Sequence, residues 1–215
     1  MKLDAALIGL LGVFVGAILA VMKDWWFHRA RQKEERAYLA IQISCLLERF
    51  VSGCLDVVND DGLFQGQRDS QGCLSVQVSA PQFEPLQIDV NWKCLPASLM
   101  YSVLRFPSKV DDANAYISAV WEFAASPPDY DELFEARIEK FSELGLLAIS
   151  LTDELRRLAK LPISPLNDEW DPKEELAKAN HQVKMEIESR VRRQQGAMRQ
   201  MSTQKQGSDS SGTTK

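Results

Sequence analysis

Apolar residues are distributed along this chain in two distinct ways. Residues 5–22 form an unbroken apolar block without a charge, whereas from residue 38 onward apolar positions recur at helical spacing. At 1.5 Å per residue the block spans about 27 Å, close to the hydrocarbon thickness of a bilayer. Lys23 and Asp24 end it, and Trp25, Trp26 and Phe27 follow where an interfacial aromatic belt would lie. The pattern predicts one N-terminal transmembrane helix behind a short tail over 1–4. Two other readings compete with it. A cleaved secretory signal would have a shorter apolar core, and cleavage after Val15, Gly16 and Ala17 would leave apolar residues 18–22 at the new N-terminus. A buried core helix would leave the charged boundary and the paired tryptophans unexplained.

Residues 23–37 are polar and basic and contain neither Pro nor Gly, so the helix is expected to continue as a juxtamembrane stalk. A domain over 38–166 follows. Its first stripe is Leu39, Ile43, Leu46, Leu47, Phe50, Cys54, Val57 and Val58, closed by the turn signal Asn59-Asp60-Asp61-Gly62. Residues 60–96 change character. Leu74, Val76 and Val78 alternate with polar residues, as do Leu86, Ile88 and Val90, which predicts a short β-hairpin over about 73–91.

Helical signals return at Pro96. One helix is expected to end at Pro107, and Ser108 with Asp111 offers a capping box for the next, whose stripe is Ala113, Tyr116, Ile117, Val120, Trp121 and Phe123. Pro127-Pro128 breaks it. A long helix then starts at Asp129 or Asp131 and carries Leu133, Phe134, Ile138, Phe141, Leu144, Ala148, Leu151, Leu155 and Leu158 on one side, with Gly145 marking a kink or a close packing. Pro162 and Pro165 close it. A terminal helix within 167–201 is announced by Asp171, Pro172 and Glu174, yet has only a thin apolar stripe, and 202–215 reads as a disordered tail. The expected fold class is therefore mainly α: a transmembrane helix continuing into a helical bundle with a small β insertion.

Charge sets the expected orientation. Only Lys2 and the α-amine precede the apolar block, while Lys23, Arg29, Arg31, Lys33 and Arg36 follow it closely, which places the bulk of the chain in the cytoplasm. Lys23, Trp25, Trp26, Arg29 and Arg31 are the expected interface anchors. Within the block, Ala5, Gly9, Gly12, Gly16 and Ala20 fall on one helix face, and Gly12 with Gly16 forms a GxxxG. Such a stripe suits self-association or docking to another membrane helix, although Gly and Ala are also common in transmembrane helices generally. The net charge of −5 is uneven: acids dominate between residues 111 and 175, and residues 189–206 contain no acid. The basic run, with Arg190, Arg192, Arg193 and Arg199, reads either as a solvated face or as a contact to anionic lipid. Nucleic-acid binding is not expected, because the run lacks interleaved aromatics and the domain is acidic.

Little catalytic chemistry is legible. The acid clusters at Asp111/Asp112, Asp129/Asp131/Glu132 and Asp168/Glu169/Asp171 sit at expected helix starts, where they complement the dipole, and none has calcium-loop spacing. His28 and His181 are far apart, and no G-x-S-x-G or GK[ST] occurs. No cofactor or metal is expected. Cys45 and Cys54 read as small hydrophobes and Cys73 and Cys94 as a pair that could bridge across the hairpin in an oxidising compartment. Three function classes remain: a membrane-anchored interaction or scaffold module at the cytoplasmic face, without catalytic activity; an envelope or lysis-type protein with its domain outside; and an enzyme whose site carries no motif. The partners implied are the bilayer, a second copy through the transmembrane helix, and an unidentified protein.

Overall fold

The computed structural model describes residues 2–162 and 171–210, with the side chains of 16–162, 171–196 and 198. Four α-helices carry most of the described residues: α1 (Lys2–Val58), α2 (Ala97–Phe123), α3 (Asp131–Ala159) and α4 (Pro172–Ser210). The expected mainly helical class is what is observed. α3 is central. It packs most extensively on α1 and also carries α2 and α4. Buried Leu39, Ile43, Leu47, Phe50, Cys54 and Val57 of α1 meet Phe141, Leu144, Ala148, Leu151 and Leu155 of α3, so both predicted stripes face the core.

The close packing expected at Gly145 is present. A Cβ there would lie 2.7 Å from Leu176 Cδ1 and 3.2 Å from Cys54 Cβ, so this glycine lets α1, α3 and α4 converge.

Cross-helix contacts give the directions. Arg137 meets Asp60 and Arg156 meets Glu48, so α3 runs antiparallel to α1. Asn180 bonds Ser142 at 2.8 Å and Arg190 meets Glu135, so α4 runs antiparallel to α3 and parallel to α1. The N-terminal part of α1 therefore leaves the bundle at one pole and the C-terminal part of α4 at the other.

Several expectations are corrected. No strand forms over 73–91; the described residues contain only an isolated bridge between Phe64 and Gln67 and short 3-10 turns at Pro85–Gln87 and Trp92–Cys94. The alternating segment finds its backbone partners elsewhere: Leu74 N donates to Pro128 O, Ser75 N to Gly62 O, and Gln77 and Val78 N to the Asp60 carboxylate. With those donors satisfied, no second strand is needed.

Pro107 does not end a helix either. It lies inside α2, where Phe106 and Val110 on either side are buried and hold the helix through the missing N–H. On the expected second stripe Tyr116, Trp121 and Phe123 are exposed, because α2 runs past the core there. α4 continues to Ser210, past residue 201, with no proline after Pro172 to stop it.

Cys73 and Cys94 do not pair. Cys94 lies beside Arg36 and Cys73 beyond Gly62, at opposite ends of a stretch of α1 that rises about 33 Å.

Among the described residues no helix is long and apolar enough to cross a membrane. Of the expected span over 5–22, residues 5–15, including Ala5, Gly9 and Gly12, lie outside the described side chains.

Candidate functional site

The most exposed surface is the part of α1 that precedes the domain. Residues 16–34 are exposed on every side of the helix. Ile18, Leu19, Val21, Met22, Trp25, Trp26 and Phe27 are between 55% and 75% exposed. Removing such a side chain from water stabilises by roughly 1.5–3 kcal/mol, so a lone helix carrying seven within ten residues presents a strong adhesive surface. Two cation–π contacts dress its polar end, Lys23 over Phe27 at 5.9 Å and Arg29 over Trp25 at 5.1 Å. Both use the i,i+4 spacing of a helix face. Gly16 has open space around its Cβ direction.

The point at which α1 enters the domain is held by the loop after Pro85. Arg36 Nε donates to Cys94 O at 2.9 Å, and Asn91 Nδ2 donates to Glu35 Oε2 at 3.1 Å. From Leu39 onward the core face of α1 is buried. Phe50 of α1, Phe83 of the loop and Phe106 of α2 form a mutual edge-to-face cluster with centroids 5.1–6.3 Å apart. Phe83 thus ties the loop to both α1 and α2.

At the far end of α1 lies a buried charge pair that the sequence did not single out. Asp60 accepts from Gly62 N, Gln77 N and Val78 N, and Arg137 Nη2 approaches Asp60 Oδ2 at 3.4 Å and donates to Val78 O at 2.6 Å. The Asp60 side chain is 1% exposed and that of Arg137 8%. Burial pulls the Arg137 guanidinium down from its ordinary value, opposed by Asp60. This arrangement holds loop backbone in place and leaves no reactive group facing solvent. The only sequence signal was Asp60 within a turn signature.

The basic end of α4 is divided. Arg190 is engaged with Glu135 and lies 4.0 Å from Glu132 on α3, and Arg192 pairs with Glu188 at 3.2 Å. Arg193 is exposed, and the Arg199 side chain lies outside the described residues. All four stand at the pole opposite the projecting half of α1. Burial raises the Glu135 carboxyl above its ordinary value, against the pull of Arg190.

A cavity of about 290 Å³ lies between α1, α3 and α4, lined by Val58, Asn59, Ile138, Lys178, Val183 and Glu186 among others. Asn59 bonds Glu175 across it at 3.1 Å. Among the described residues no group of three or more His, Cys, Asp or Glu side chains could hold a metal ion. His28 and His181 stand on different helices and are not brought together. Cys54 and Cys94 are buried, and burial pushes both thiols up. Cys45, expected among apolar neighbours, is instead exposed on the outer face of α1.

Set against known protein families, curated proteins and solved structures, the chain matches none of them.

Proposed function

We propose that the chain is a single-pass membrane-tethered interaction module, held by α1 with its helical domain at the cytoplasmic face, that works by binding rather than catalysis. The observation that carries this reading is the projecting half of α1, with seven large apolar side chains exposed between Ile18 and Phe27. A bilayer covers such a helix from every direction at once, and the apolar sequence continues back to residue 5. Lys23, Arg29 and Arg31 then sit at the headgroups together with Trp25 and Trp26, on the side that basic residues favour. The acidic domain offers α2 beyond its core, with Trp121 53% and Phe123 80% exposed, as surface for a protein partner. The basic end of α4 points away from the bilayer that holds α1, so in this reading it meets a partner in solution rather than the lipid suggested by its charge.

Two measurements test the proposal. The full chain, expressed in bacterial cells, should stay in the membrane fraction after alkaline carbonate extraction. A reporter active only in the cytoplasm, fused after Lys215, should be active, and one active only outside should be silent. Release by carbonate would sink the tether. The reverse reporter pattern would move the domain outside and favour an envelope or lysis-type role.

A further inference from the structure

We propose that α1 pairs side by side and in parallel with α1 of a second copy, along one face that begins in the small-residue stripe and continues into the soluble domain through Tyr38, Ile41 and Cys45. The proposal rests on the tethered reading, since two copies inserted in one bilayer must point the same way. α1 is a single helix over Lys2–Val58, so each position has a defined angular place at about 100° per residue. Measured from Cys45, the positions of Ala5, Gly9, Gly12, Gly16, Ala20, Phe27, Glu34, Tyr38 and Ile41 all fall within about 60°. Core-facing Leu39, Ile43, Leu47, Phe50 and Cys54 lie about 120–180° away. The small-residue stripe is therefore in register with the outer face of α1, not with its buried one.

That outer face has its own apolar patch. Tyr38 is 59% and Ile41 43% exposed, and Cys45 is exposed beside them, at the three- and four-residue steps of a helix–helix seam. Further along, the same face carries Glu48, Arg49, Ser52 and Asp56, all exposed. The apolar seam thus stops at Cys45, where paired helices would diverge to make room for the two bundles. Between Phe27 and Tyr38 the line carries Arg31 and Glu34. In a parallel pair Arg31, whose Nε bonds Glu35 of its own helix at 3.2 Å, also lies about 4.5 Å in rise from the partner subunit's Glu34, so opposite charges become neighbours across the seam.

The test uses the native thiol. Membranes containing the full chain are oxidised with copper–phenanthroline, and dimer is read by non-reducing electrophoresis. With half-buried Cys73 changed to Ser, the chain should give a covalent dimer that Cys45→Ser abolishes, since Cys54 and Cys94 are buried. In the Cys45→Ser chain, Glu34→Cys lies on the seam and Gln32→Cys about 140° from the Glu34–Cys45 side, both in the exposed stalk. Glu34→Cys should form about tenfold more dimer, because a disulfide needs Cα atoms within roughly 7 Å. Equal crosslinking at 32 and 34, or none at 45, overturns the paired face. Carbonate extraction of the same membranes separates the two claims. Retained protein without the phase difference fails the pairing alone, and released protein that keeps the phase difference fails the tether alone.

Discussion

Asp60 and Arg137 illustrate how one charge pair can organise an irregular segment. The carboxylate receives three backbone N–H groups from the loop, and the guanidinium closes the remaining side while holding Val78 O. Removing one partner leaves the other charge buried without compensation. Asp60→Asn should therefore cost about 3–5 kcal/mol of stability, read from guanidinium unfolding of the full chain in detergent. Adding Arg137→Met to Asp60→Asn should cost less than the sum of the two single changes, because the orphaned cation is gone. The cysteines divide in the same way by environment. Cys45 should react with a maleimide within minutes under native conditions, and Cys54 only after unfolding. The Cys54 thiol is raised above its ordinary 9.0 by burial, so the folded form keeps its proton while the unfolded chain loses it. Its contribution is complete below pH 9.0 and is lost as pH rises further. The stability difference between wild type and Cys54→Ala should accordingly shrink as pH is raised beyond 9.0, measured by the same unfolding transitions.

Among the helices, what could be read from sequence was what depended on periodicity. The stripe from Leu39 to Val57, the stripe from Leu133 to Leu155, and the start of α4 at Asp171, whose Oδ1 accepts from Lys173 N at 2.8 Å, all follow from local rules. Features set by distant partners were not legible. Leu74, Val76 and Val78 alternate as a strand would, but a side-chain carboxylate from the end of α1 accepts the N–H groups that a strand partner would have taken. Pro107 reads as a stop, yet burial on both sides outweighs its missing hydrogen bond. Arg190 reads as part of a free basic run until α3 brings Glu135 against it. The α2 anomaly makes a prediction. Pro107→Ala restores the bond to the Val103 carbonyl and should raise stability by up to about 3 kcal/mol, visible as a higher thermal midpoint. Unchanged or lower stability would mean that the ring contributes packing of comparable size. Gly145→Val should act in the opposite direction, lowering stability by about 1–3 kcal/mol as Leu176 and Cys54 are forced outward.

At the scale of the whole molecule, the two poles differ in what they can touch. One presents an apolar helix edged with basic residues; the other presents the exposed ends of α2 and α4. A chain truncated after Gly196 should unfold at a midpoint close to that of the full chain, since residues 191–196 are exposed and, among the described side chains, the last interhelix pair is made by Arg190. Truncation after Glu188 should lower it, because Glu135 then loses its counter-charge in a half-buried site.

If the proposed tether holds, the uninterrupted course of α1 would also act as an electrostatic spacer. From Met22 to the first core residue, Leu39, the helix rises about 26 Å, roughly three Debye lengths at physiological ionic strength. At that distance the negative potential of a cytoplasmic leaflet is almost wholly screened. Lys23 and Arg29, within about 11 Å of Met22 along the helix, lie within reach of the lipid charge, while the acidic domain stands outside it. A domain of this charge on a shorter or jointed tether would be repelled by the surface that holds it. A stiff helix lets an acidic body be kept at a membrane without meeting its field.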